Sequence, residues 1–140
     1  MSRGLRGRLG ATLAMLALVA FAGCIPGYLR IGIKTMPTTN GGTPLYLLVR
    51  AVEPKQHASQ SYSDVAGLLD APDGSVIRTQ LLYPGRAYRF YLKPPAKGSI
   101  GMYFLFTSPG GAWNLLQSPP FPLSLQVALG RNMVREQAAR

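Results

Sequence analysis

The sequence predicts an all-β protein: a β-sandwich of about six to eight short strands with one short helical insertion. Three observations predict it. Pro and Gly supply 12 and 16 of the 140 residues, so no helix can run far. Apolar residues recur at every second position in several short runs. Turn residues separate those runs at short intervals. With 47% hydrophobic and only 14% charged residues, the chain is also too apolar for disorder.

Residues 1–23 read as a secretory signal peptide rather than as part of the fold. Arg3, Arg6 and Arg8 form a charged start, and an apolar run from Leu9 to Ala22 follows. Its 14 residues fit the apolar region of a signal and fall short of the about 20 that span a bilayer. The run ends in Phe21-Ala22-Gly23-Cys24, which resembles a bacterial lipobox. The sole Cys of the chain thus stands where lipidation requires one. Cleavage before Cys24 would leave one periplasmic domain, residues 24–140, carrying diacylglycerol and palmitate on Cys24. More than one acyl chain gives stable anchoring, whereas a single chain holds only marginally. Ile25 in place of Asp favours the outer membrane by analogy with enterobacterial sorting.

The remaining chain divides by its periodicity. Tyr28–Lys34 alternates, with Leu29, Ile31 and Ile33 on one face, as in a half-buried strand. Met36–Thr43 holds Pro, Asn and two Gly and reads as a loop. Leu45–Val52 is a second strand, its centre continuously apolar, as expected where both faces are covered. Residues 55–60 are polar and show no period. Ser61–Leu69 is the one helical candidate: Ser61 and Asp64 form a capping box, and Tyr62, Val65, Leu68 and Leu69 share a face. Pro72-Asp73-Gly74 is a turn, and Ile77–Leu82 a short strand. After Tyr83-Pro84-Gly85, Arg86–Leu92 alternates with Tyr88, Phe90 and Leu92 on one side. Ile100–Thr107 is an apolar strand, and Trp113 borders the apolar pair Leu115-Leu116. Pro119–Pro122 cannot be a central strand. Leu123–Leu129 alternates again, Met133-Val134 adds a short last strand, and the tail after Arg135 is loose.

Composition argues against catalysis. The single His57 lies in a polar stretch and reads as a solvated loop residue, with no nucleophile elbow and no second His. Asp70 and Asp73 fit a turn better than a carboxylate pair. One Cys and one His leave no metal site and no cofactor to expect. The 12 bases beyond residue 23 outnumber five acids, but they are scattered singly and form no nucleic-acid motif. They read as a solvated basic face or as attraction to an acidic partner. The strand aromatics, and Trp113 with them, read as core rather than as a ligand box.

These features, in this order, resemble the outer-membrane lipoprotein of bacterial type VI secretion systems, the TssJ family. The matching features are the lipobox at Cys24, then Asn40, Gly42 and Pro44 before an apolar strand carrying Arg50. The Tyr62–Leu69 helix, Pro84-Gly85, Gly101–Phe106 with Trp113, and Leu123–Leu129 with Asn132 follow. Asn114 stands where the family often has Arg after the Trp. The resemblance implies a transthyretin-like β-sandwich, lipid-anchored in the outer membrane and facing the periplasm. It implies no enzyme, no small-molecule substrate and no nucleic acid, and one partner: the periplasmic C-terminal domain of an inner-membrane TssM-like protein. The family's contact loop falls here on Pro37, Thr38, Thr39, Asn40, Gly41 and Gly42. The residues alone leave open a pilotin or assembly factor of another envelope machine, or a binding lipoprotein centred on His57.

Overall fold

The computed structural model describes residues 27–140; the segment 1–23 that reads as a signal peptide, with Cys24 and Ile25, lies outside the described residues. Among the described residues, eight strands form two four-stranded sheets. The first sheet has the order β4-β1-β7-β8, from Ala87–Leu92, Leu29–Lys34, Ser124–Leu129 and Val134–Ala139. The second has the order β3-β2-β5-β6, from Val76–Leu82, Leu45–Val52, Ser99–Leu105 and Asn114–Gln117. Neighbours are antiparallel except β1 and β7, which run parallel in register from Arg30↔Ser124 to Lys34↔Ala128.

The period-two pattern builds the core. Leu29, Ile31 and Ile33 of β1 join Phe90, Leu92, Leu125, Val127 and Leu129 on the inner face of the first sheet. They meet Leu47, Val49, Leu82, Met102 and Phe104 of the second. Each such side chain stabilises the fold by roughly 1.5–3 kcal/mol on full burial.

A second, smaller core explains why β2 is apolar on both faces. Helix α2, Tyr62–Asp70, lies over the outer face of the second sheet and buries Val65 against Leu48, Tyr103 and Leu105. Ser61 and Asp64 cap it reciprocally, as the sequence indicates. Tyr46 escapes this cover and is 43% exposed.

The structure corrects three readings. Residues 54–59 form a helix, α1, where the polar stretch reads as loop. Pro54 opens it with its preset φ, and His57 N–H donates to the Glu53 carbonyl. The tail is not loose: β8 runs to Ala139 and pairs with β7, from Leu125↔Ala139 to Leu129↔Val134. Its exposed, polar side chains hide the pairing from any periodicity, because an edge strand is held by its backbone. Finally, Leu123 lies just outside β7, and β5 ends at Leu105 rather than Thr107.

Strand direction gives the sandwich two ends. The entry end holds the start of β1 and β7 and the finish of β2, β4 and β8. The far end holds the 36–43 loop, the 83–86 turn, and the loops after β5 and β7.

Candidate functional site

Three loops meet at the far end, and Asn40 holds them together. The 36–43 segment tightens into a 3₁₀ turn, Thr39–Gly42, with Asn40 at φ 52° and Gly41 at φ 64°. Asn tolerates this left-handed region better than most residues, and Gly has no penalty there. The Asn40 backbone N–H donates to the Arg131 carbonyl at 2.6 Å, and Asn40 Oδ1 accepts the Thr107 N–H at 2.8 Å. Its Nδ2 donates to Thr43 Oγ1 and to the Pro44 carbonyl, and its own carbonyl accepts Thr43 Oγ1. Every polar atom of Asn40 is therefore engaged, and the residue is only 8% exposed. Thr39 is fully buried; its hydroxyl accepts the Met36 N–H and donates to the Leu129 carbonyl.

The six loop residues singled out in the sequence thus divide into two kinds. Thr39 and Asn40 point inward and build the loop. Pro37, Thr38, Gly41 and Gly42 form its exposed crest. Among the described residues Thr38 uses only its carbonyl, which accepts the Gly41 N–H at 3.1 Å, and its side chain has no partner there. Beside the crest lies an open depression of about 370 Å³, lined by Gly41, Thr43, Ser108, Arg131 and Asn132 among others. Its lining residues carry three hydroxyls, two amides and one guanidinium, a set suited to an acidic or carbonyl-rich protein segment. Sequence reasoning passed over Thr107 and Arg131, because only their backbones touch Asn40 and a backbone contact leaves no mark on side-chain choice.

The remaining polar candidates serve the fold. His57 is not a solvated loop residue: it sits on α1, its ring centroid 5.6 Å from that of Tyr103. Burial pushes its pKa below the usual 6.5, and its Nε2 has no hydrogen-bond partner among the described residues. Tyr103 in turn donates to Gln60 Oε1 at 2.8 Å. Arg50 is buried beneath the helical layer, with Asp73 3.8 Å away. Hydrogen bonds from the Ser75 hydroxyl and N–H hold the Asp73 carboxyl below its usual range. Asp73 thus closes a turn and faces Arg50, rather than pairing with Asp70. Trp113 is half-buried and packs edge-on to Tyr62, bridging the two cores. Among the described residues, no three His, Cys, Asp or Glu side chains come together as metal ligands, and no helix is long and apolar enough to cross a membrane.

Known proteins place this fold. The family described as IglE, N-terminal domain, matches residues 46–129, more than half of the chain. No curated protein sequence matches. The type VI secretion lipoprotein TssJ1 of Pseudomonas aeruginosa has 17% identity and a TM-score of 0.62, over 83% of this chain and 98% of that one. Serratia marcescens Lip, a membrane-bound component of the type VI secretion system, has 13% identity and a TM-score of 0.60, over 82% and 99%. A chain in a structure described as the TssM C-terminal domain from EAEC has 14% identity and a TM-score of 0.62, over 81% and 98%. At such identities the likeness is one of fold. The match over residues 46–129 settles membership: the chain belongs to the IglE N-terminal domain family, on a β-sandwich shared with the TssJ lipoproteins.

Proposed function

We propose that this chain is a lipoprotein of a type VI secretion membrane complex. Diacylglycerol and palmitate on Cys24 anchor it in the outer membrane, and residues 24–140 form its periplasmic domain. Its role is non-catalytic: the 36–43 crest binds the periplasmic C-terminal domain of an inner-membrane TssM-like protein. The observation that carries this reading is the rigid loop on Asn40, which displays Pro37, Thr38, Gly41 and Gly42 at the end of the sandwich opposite the chain's entry. A loop fixed in advance loses little entropy on binding. Membership of the IglE N-terminal domain family and the fold shared with TssJ1 and Lip agree with it.

The test is a pull-down of the chain with the periplasmic C-terminal domain of the TssM-like protein of the same organism. The expected result is capture that falls at least tenfold on Thr38→Arg, since the new side chain stands in the contact while the backbone bond of Thr38 stays. Equal capture of Thr38→Arg and the native chain would remove the crest from the interface. No capture with both proteins folded would remove the partner.

A further inference from the structure

The entry end carries a surface of a different kind. Three of the exposed large apolar side chains gather there: Tyr28 at 41%, Tyr91 at 41% and Leu123 at 72%, the most exposed of the set. The strand pairing brings them together. Arg30 lies opposite Tyr91 on β4 and opposite Ser124 on β7, and its N–H donates to the Leu123 carbonyl at 3.0 Å. Tyr28 directly precedes β1.

Cations border this apolar group. Arg30 stands between Tyr91 and β7, Lys93 follows β4, and Arg140 exchanges two backbone hydrogen bonds with Ser124. The acids of this end, Glu53, Asp70 and Asp73, belong to the other sheet and its helices. Among the described residues the first-sheet side of the end is therefore cationic, with tyrosines and a bare leucine at its rim. That is the chemistry of a phospholipid interface, where amphipathic rings sit at headgroup level and Lys or Arg meet anionic lipid.

The place of Cys24 selects this occupant over others. Four residue steps separate Cys24 from Tyr28, so a lipid on Cys24 lies within about 14 Å of the patch even in a fully extended chain. A bilayer holding that lipid faces this end of the sandwich.

We infer that Tyr28, Tyr91 and Leu123, with Arg30, Lys93 and Arg140, form a membrane-contact patch that seats the domain on an anionic leaflet and orients the far-end crest away from it. The inference rests on the proposed lipidation of Cys24.

The test uses the acylated full chain, purified after export and reconstituted into phosphatidylethanolamine–phosphatidylglycerol vesicles. Two variants add one tryptophan each: Leu123→Trp in the patch and Tyr83→Trp at the far end, where Tyr83 is also exposed. Brominated lipids quench tryptophan near the bilayer. The expected result is several-fold stronger quenching of the added emission in Leu123→Trp than in Tyr83→Trp, weakening when neutral phosphatidylcholine replaces phosphatidylglycerol. Flotation with the vesicles reads the anchor separately. Chains that float while both tryptophans quench alike, or Tyr83→Trp more, overturn the patch and leave the anchor standing. Chains that do not float, and whose mass lacks the acyl groups, overturn the anchor and the inference with it.

Discussion

Asn40 shows how much one residue can hold. Its amide joins the 36–43 loop to Thr107 and Pro44, and its backbone N–H reaches Arg131. Removing the side chain breaks its three part-buried hydrogen bonds, to Thr107, Thr43 and Pro44, at a cost of about 1–3 kcal/mol in all. The left-handed backbone adds about 1 kcal/mol more for any residue with a Cβ and no local hydrogen bond. Asn40→Ala should therefore lower stability by roughly 2–4 kcal/mol in denaturant unfolding, and Asn40→Gly by less, since it recovers the backbone part. Equal losses would mean that the left-handed conformation contributes nothing. The sequence marks Asn40 as a loop residue, because Asn beside two Gly favours positive φ. It does not mark Asn40 as buried, since that depends on two loops far along the chain.

Helix α1 shows the limit of periodicity at the scale of an element. Lys55–Ser59 has no apolar stripe, yet it forms a helix because Pro54 starts it and Tyr103 supplies a flat surface beneath His57. This packing has a pH signature. The folded pKa of His57 lies below its unfolded value of 6.5, so between the two the unfolded chain binds more protons. Stability is then complete above 6.5 and falls as pH drops through the folded value. Unfolding midpoints across that range should show this slope in the native chain and lose it in His57→Gln. The carboxyls of Asp64 and Asp73 are held below 3.8 by hydrogen bonds to Ser61 and Ser75, so their stabilisation disappears only at lower pH, in a separate window. Helix α2, by contrast, is legible throughout: its capping box and its apolar face both lie within nine residues.

At the scale of the molecule, the two ends of the sandwich divide the work proposed for it. Six residues of β1 separate them, about 20 Å of strand. Sites so far apart, with no shared partners, should act independently. Thr38→Arg should leave flotation and lipid quenching unchanged, and Leu123→Trp should leave partner capture unchanged. A shift in either would show that seating on the membrane and partner binding are coupled. Local pattern assigned the faces: β1, β4 and β7 alternate, so each side chain takes a face whatever the strand order, and the unbroken apolar runs of β2 and β5 mark strands covered on both sides. It determined the α2 cap and the turns for the same local reason. Packing between distant segments settled the rest: that β1 pairs in parallel with β7, that a polar tail closes the first sheet as β8, and that Tyr28, Tyr91 and Leu123 share one end. Those facts rest on backbone hydrogen bonds between residues far apart in the chain, and such bonds accept nearly any side chain.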